Sequence, residues 1–464
     1  VWKRNLIVPF LWIILILATS GKIFFWDTIQ LASKQAHFFY DNQFQFFFLP
    51  EEINSGHPPF YGMFLALFWT IFGKSLLASH IFNGLFVVGF VYQAHRLGQW
   101  LLGEHGAFYF PLVLFCNPIF LGHSILVSPD NVLCFLLLLA VNSLLRKHYI
   151  FFAISGLCLA LLSMRGMMTV AAVGIAEVTY LLIARKPFKW TLVVKYLAAA
   201  IGASSFLLAH YFKNDWLGFH EESPWQESFN IVGLKDYVRN LGIIVWRLLD
   251  FGNLFIWLTT AYILIKVKLE KKYWWFLLAA SVASCIVFVL PLASFKYLSA
   301  HRYFMPLYLL LSLGFIFAAV KTRVRKSLIA ICQIGLFFRN WCIYPRSISQ
   351  GWEVSLGHLP YYSLVDKMKL RIHERGIEAS DIGTEFPLKT EARYLYLKEG
   401  GISFVEGKIN REPYILYSKV INDFKDVDYY ELQENYQLIE DLSYLFIDLK
   451  LYEKRTKAET GGVR

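Results

Sequence analysis

The 464-residue chain is 56% hydrophobic and 18% aromatic, with a mean hydropathy of +0.45, which excludes an ordinary soluble globular protein. Its formal charge of +11 is uneven: Lys and Arg outnumber Asp and Glu by 28 to 14 over residues 1–345, whereas residues 346–464 hold 17 against 20. The basic residues stand in short loops between apolar runs, so they report membrane orientation, and nucleic acid is excluded as a partner.

Lys3 and Arg4 precede an apolar run at 6–25, which has about the 20 residues needed to span a bilayer. No small-residue cleavage site follows it, so it reads as a retained span with a cytoplasmic N-terminus. Asp27 then stands just past its outer edge. Residues 28–48 interleave Phe38, Phe39, Phe46, Phe47 and Phe48 with Lys34, Gln35, Asp41, Gln43 and Gln45, the pattern of an interfacial helix. His57-Pro58-Pro59 closes this first outer loop. The run 60–72 is short for a crossing, and 76–92 is longer.

Residues 95–105, with Arg96, read as a cytoplasmic loop, and 107–127 returns outward to Ser128-Pro129-Asp130. The run 132–145 descends to Arg146-Lys147-His148, 150–164 rises to Arg165, and 167–184 descends to Arg185-Lys186. A rise at 192–212 leads into a polar loop, 213–239. Four further runs follow at 241–265, 274–292, 303–320 and 328–343. The count is about 11 passages, or about 13 if the 60–130 region crosses twice more. Under either count the basic clusters at 146–148, 266–272 and 321–326 fall inside and the tail falls outside.

The expected fold is therefore a membrane all-α bundle over 1–345, followed by a small outer α/β domain over 346–464. In that tail 361–375 has helical periodicity, and 381–386, 402–405, 414–420 and 444–451 read as strands. The tail carries no nameable catalytic motif and reads as a docking or lid domain. The six cysteines lie in or beside apolar runs without CxxC spacing, which argues for buried hydrophobes and against a disulfide or metal framework. No Asn begins an N-x-Ser/Thr sequon, which points toward a bacterial source.

Ionisable residues at the mouths of spans are costly to place and are functional candidates by default. They are Asp27, His57, Asp130, Arg165, Lys296, His301 and Arg302. The Asp27 carboxylate is suited to take a proton from an acceptor hydroxyl; the alternative is a solvated helix-end carboxylate. Arg165 and Arg302 suit a phosphate through the planar guanidinium fork, or act as interfacial anchors. His57 reads as a phosphate partner, a metal ligand or a cap, and no ligand spacing surrounds it, so no metal is indicated. Glu51-Glu52 and Glu221-Glu222 read as solvated loop charge, and Trp216 and Trp225 as interfacial aromatics.

Taken together, Asp27 after the first span, HPPFYGMFLALFWTIFG at 57–73, SPDNVLCFLLLLA at 128–140, SMRG at 163–166 and HRYFMP at 301–306 resemble one family. It is the GT-C superfamily of membrane glycosyltransferases that use polyprenyl-phosphate sugars, in particular the protein O-mannosyltransferases and aminoarabinose transferases. The resemblance covers roughly residues 1–320. It implies a donor sugar on a polyprenyl monophosphate, inversion at the anomeric carbon, and a protein, lipid or glycan acceptor on the periplasmic face of a bacterial inner membrane. Asp27 would be the general base and Asp130 a second acid at the same face. His57, Arg165, Lys296, His301 and Arg302 would meet the donor phosphate. His57 stands where the family often has Lys, and Thr28 where it often has a second acid. No nucleotide loop is present; no cofactor is certain, and a divalent metal is compatible with the resemblance but not indicated. Two other classes compete: a transporter or flippase of lipid-linked glycans, which calls for inverted repeats and mid-span charges, and a non-catalytic scaffold.

Overall fold

The computed structural model describes residues 5–218, 220, 226–266, 271–321, 326–345, 348, 350–398 and 403–455. The clusters at 266–272 and 321–326, together with Lys3, Arg4, Glu221, Glu222 and Trp225, lie wholly or largely outside them. Among the described residues five helices are long and apolar enough to cross a membrane: Leu76–Cys116, Met164–Ile183, Thr191–Asn214, Trp274–Ala293 and His301–Lys321. There are seven if two bent pairs each cross once, Pro118–Ser124 with Pro129–Leu145 and Leu234–Leu249 with Asn253–Ile265. Ile7–Thr19, Phe60–Phe72 and Tyr149–Leu162 are shorter apolar helices. The runs expected from the sequence are thus helical, but fewer meet the span criterion than the expected tally of about 11 to 13.

Three local departures shape the molecule. The first helix stops at Thr19 because Thr19 and Ser20 turn their hydroxyls back onto the carbonyls of Leu15 and Leu17, both at 2.8 Å. Beyond it the chain runs irregularly, and Phe24 N–H donates to Leu395 of the tail. The expected loop at 95–105 is instead a helical hairpin. Helix continues through Arg96, breaks at Gly103 (φ 67°, ψ −153°) and resumes. Its two arms touch at Gly98 and Gly106, where a Cβ on Gly98 would lie 2.2 Å from the Gly106 carbonyl oxygen.

The interfacial helix is shorter than the expected 28–48. It comprises a π-helical turn, Ile29–Lys34, and an α-helix, Gln35–Asp41, and it ends where Gln43 and Phe44 take left-handed backbone. One face is covered by protein. Gln35 lies against Gly62, the His37 ring meets Trp69 edge-on at 5.2 Å, and Ser33 Oγ donates to the Tyr394 carbonyl at 2.6 Å. Phe46 and Phe47 beyond it stay exposed.

The C-terminal part carries a five-stranded sheet: β1 (Ile382–Thr384), β2 (Val405–Glu406), β3 (Tyr414–Tyr417), β4 (Tyr436–Tyr444) and β5 (Ile447–Lys454), in the order β2-β1-β3-β5-β4. β1 runs parallel to β2 and β3, while β5 is antiparallel to β3 and β4, with Leu416 opposite Leu451 and Tyr444 opposite Ile447. β4 was not expected. It is a largely exposed edge strand with Glu440 and Asp441 mid-run and a register shift between Leu438 and Glu440, so it lacks a clean apolar alternation. Helix Leu359–Glu374 packs on β4 and β5 and matches the helical periodicity at 361–375.

Candidate active site

Asp27 opens the helical stretch that runs to Asp41. The turn before it is locked by Thr28, whose Oγ1 accepts from Phe25 N–H at 2.9 Å and donates to Phe25 O at 2.7 Å, and by left-handed backbone at Trp26. A carboxylate here is favoured by the positive end of the helix. The Asp27 carboxylate accepts directly from Arg302 Nη2. Arg302 lies on the short 3-10 turn His301–Phe304 that leads into the span Met305–Lys321. Its side chain is 8% exposed and that of Asp27 is 24% exposed, so the cation is enclosed and the carboxylate faces outward.

A second ion pair lies beneath the first. Asp130 and Arg165 each occupy the first turn of a helix, Pro129–Leu145 and Met164–Ile183, and each helix is capped by a serine hydroxyl, Ser128 or Ser163. Arg165 Nη2 meets Asp130 Oδ1 at 2.6 Å, with the Asp130 side chain only 2% exposed. Arg165 Nη1 also donates to the Arg302 carbonyl at 3.2 Å, and both guanidinium groups lie over the Tyr303 ring, at 5.2 and 5.1 Å. The two arginines are therefore held as one unit. Asp130 Oδ2 is buried without a hydrogen bond, 3.9 Å from His123 Nδ1.

His57 joins this cluster. Burial, with the Arg165 guanidinium nearby and Asp130 opposing it, pushes the His57 ring down to about 4. At neutral pH it is a neutral imidazole, able to donate one hydrogen bond but not a positive charge. Its loop is pinned by Asn54, which donates to His210 Nε2 at 3.2 Å and accepts from Gly56 N–H at 3.0 Å, and by Gly56, which lies against the Gly218 carbonyl.

The other two sequence candidates lie elsewhere. His301 is fully buried and donates Nε2–H to Asp250 Oδ2 at 2.9 Å; Tyr344 donates to the same carboxylate. Lys296 is 39% exposed and pairs with Glu227 at 3.3 Å, outside the buried cluster.

Residues missed by the sequence reading stand in and beside this arrangement. Asp250 sits in the turn between two helices bent by 83°, hidden within what reads as one apolar run. Glu353 comes from the tail, and its Oε1 stands 3.9 Å from Arg302 Nε, which is buried and makes no hydrogen bond. It reaches the site because Gly122 lets the tail backbone lie directly on helix Pro118–Ser124, where an added Cβ would be 2.4 Å from Ser355 N. His358 follows, stacked on Phe25 at 4.7 Å, its Nδ1–H donating to Ser355 O at 2.7 Å. No sequence signal marks Glu353: it is one acid among many in a polar tail. Among the described residues no group of three or more His, Cys, Asp or Glu side chains is placed to hold a metal ion.

Chemically, the cluster is an outward-facing carboxylate backed by two enclosed guanidinium groups, a neutral imidazole and further carboxylates. No protein-family model and no curated protein matches the chain. Solved structures do. ArnT from Cupriavidus metallidurans bound to undecaprenyl phosphate superposes with a TM-score of 0.54 at 10% identity, covering 96% of this chain and 97% of that one. The apo state of the same protein gives a TM-score of 0.55 at 10% identity with the same coverage. Over nearly its whole length the chain has the fold of ArnT, and the GT-C resemblance read from its sequence holds at the level of fold.

Proposed function

We propose that the chain is an integral membrane glycosyltransferase that moves a sugar from a polyprenyl-monophosphate carrier to an acceptor on the outer face of a bacterial inner membrane. The observation that carries this reading is the direct contact of the outward-facing Asp27 carboxylate with the enclosed Arg302 guanidinium. In the proposed step an acceptor oxygen or nitrogen attacks the anomeric carbon, and the bond from that carbon to the phosphate oxygen breaks, with inversion. Asp27 takes the acceptor proton, and the polyprenyl phosphate leaves with an added negative charge. Arg302 and Arg165, already desolvated and held against Tyr303, stabilise that charge, which is where preorganised cations contribute most. His57 donates a hydrogen bond, and Asp130 holds Arg165. The undecaprenyl phosphate bound by ArnT, a structural neighbour, supports a donor of this class. Residues 1–345 would be the membrane unit, with an N-terminus inside, and 346–464 an outer unit that walls the site.

The transporter reading draws on one observation, the ion pair of Lys195 with Glu177 between helices Thr191–Asn214 and Met164–Ile183. Tyr196 OH also donates to Glu177 at 3.0 Å, so the pair is satisfied within the bundle and fits inter-helix bonding. The test is sugar transfer by purified wild type and Asp27→Asn, with a panel of polyprenyl-phosphate sugars and membrane extract as acceptor. Transfer by wild type that falls about 10²–10⁴-fold in the variant is expected. Equal transfer by both removes Asp27 as base, and lipid binding without any transfer favours the transporter.

A further inference from the structure

A cavity of about 140 Å³ lies at the other end of helix Pro129–Leu145. Arg96, Asn142, Arg146, His148 and Phe151 line it. With Asp130 in the first turn of that 17-residue helix and Arg146 at its C-cap, the cavity stands about 25 Å from the candidate active site, at the opposite face of the bundle.

Four features favour an anion there. Two guanidinium groups share the cavity and no Asp or Glu lines it, so the like charges are uncompensated there. Arg146 Nη2 is fixed by donating to the Arg96 carbonyl at 3.0 Å, while its Nε is buried without a hydrogen bond. The 14-residue helix Tyr149–Leu162 begins at the cavity with no side-chain cap, leaving first-turn N–H groups and the positive helix end directed there. Left-handed backbone at Lys147 makes the turn tight enough to bring this helix end beside Arg146.

A further feature bears on what else the ligand carries. Asn142 is 5% exposed, and its amide N–H groups are taken by the backbone and side-chain oxygens of Gln93, both at 2.9 Å. Its Oδ1 is left buried without a donor. The cavity therefore offers several donors to an anion and one acceptor to a hydroxyl. Beside it, Ile150, Phe151 and Ile154 expose an apolar face, 75%, 59% and 52% open, suited to acyl chains.

We propose that this cavity binds a phosphate ester bearing a free hydroxyl, of the glycerophosphate class, with the adjoining apolar face favouring a phospholipid headgroup as its source. The site is independent of the transferase reading.

The experiment uses the full-length purified protein in detergent, with phosphatidylglycerol, phosphatidylethanolamine and soluble glycerol 3-phosphate as probes. Bound copies are read by native mass spectrometry and unfolding midpoints by thermal scan. Wild type is expected to retain phosphatidylglycerol and be stabilised by it, and Arg96→Gln and Arg146→Gln are each expected to weaken retention about fivefold. Lys147→Gln, on the same turn but outside the lining, is expected to behave as wild type. Glycerol 3-phosphate stabilising the protein as strongly as the lipid, with the same loss in the arginine variants, supports the site and makes a soluble ester its ligand. Equal lipid retention by wild type and both arginine variants overturns the proposal, and so does an equal loss in Lys147→Gln, which marks diffuse attraction to a basic face. Should Arg146→Gln fail to fold, Arg96→Gln decides, because among the described residues its guanidinium only lies over the Tyr92 ring, at 5.8 Å, and makes no hydrogen bond.

Discussion

Gly166 lies directly on the Leu159 carbonyl, with room for no side chain: a Cβ there would sit 1.8 Å from the oxygen. This contact closes the corner between helices Tyr149–Leu162 and Met164–Ile183 and so sets where Arg165, one residue earlier, points. Gly166→Ala is expected to force the corner open. It should lower the thermal midpoint by the equivalent of about 1–3 kcal/mol and reduce sugar transfer more than an apolar swap on the lipid-facing side. Unchanged unfolding and transfer in Gly166→Ala would remove the corner as the device that aims Arg165.

Arg302 is asked to be planar as well as positive: it meets Asp27 through Nη2, faces Glu353 through Nε and stacks on Tyr303. Arg302→Lys keeps the charge and loses the fork and the stacking. Transfer is expected to fall by about 10²–10³-fold in kcat for Arg302→Met and by nearly as much for Arg302→Lys. Full activity in the lysine variant, measured at saturating donor, would mean that a point charge suffices.

Glu353 tests whether the tail takes part in the site or only covers it. Its carboxylate is 15% exposed and adds negative charge beside Arg302, 3.9 Å from its Nε. Glu353→Gln keeps the shape and removes the charge, so Arg302 should hold its position less firmly and present it less well to a phosphate. The expected outcome is about a tenfold loss in kcat with little change in donor KM or unfolding midpoint, and recovery in Glu353→Asp. A drop in the midpoint with kinetics unchanged would assign Glu353 to packing.

Much of this arrangement was legible in the sequence because membranes restrict what a chain can hide. Charges at the ends of apolar runs are conspicuous, so Asp27, Asp130, Arg165 and Arg302 could be singled out, and the structure brings those four into one cluster with His57. Lys296 and His301 share their stretch of chain with Arg302, yet a 3-10 turn parts His301 from Arg302 and Lys296 lies beside the Ile231–Phe295 bridge, which spacing does not reveal. Asp250 was invisible because it lies inside the run at 241–265 and not at either end, where charges at span mouths are conspicuous. Glu353 was invisible because its placement depends on a long-range contact with Gly122. The hairpin at Gly103 was misjudged because Arg96 looked like a loop residue, when a membrane-edge helix can carry it.

Acidification should destabilise the protein through two histidine rings, the buried His358 and the partly buried His57. Burial, opposed by hydrogen bonds to backbone carbonyls, holds His358 at about 4, and His57 is also at about 4. Between the ordinary histidine value near 6.5 and 4 the unfolded chain takes up protons at these positions and the folded chain does not. Stability is therefore full above about pH 6.5 and is lost as pH falls through that window, by about 1.4 kcal/mol per pH unit for the fully buried His358. Thermal scans from pH 7.5 to about 4.5 should show this slope, and His358→Gln should flatten it. A midpoint that rises on acidification would contradict the neutral state of both rings.

The pair of Asp130 with Arg165 separates a structural acid from a catalytic one. With Asp130 2% exposed and hydrogen-bonded to a guanidinium, removing one partner leaves a buried charge uncompensated, at a cost of about 3–5 kcal/mol. Asp130→Asn should therefore lower the unfolding midpoint sharply, whereas Asp27→Asn, with Asp27 24% exposed and Glu353 still beside Arg302, should lower it less while reducing transfer by about 10²–10⁴-fold. The double variant Asp130→Leu, Arg165→Met replaces the buried pair with apolar volume. It should recover most of the lost stability and none of the transfer, because the second phosphate-facing guanidinium is gone. Recovery of transfer along with stability would show that Arg165 serves only to pair with Asp130, leaving Arg302 as the sole guanidinium acting on the donor phosphate.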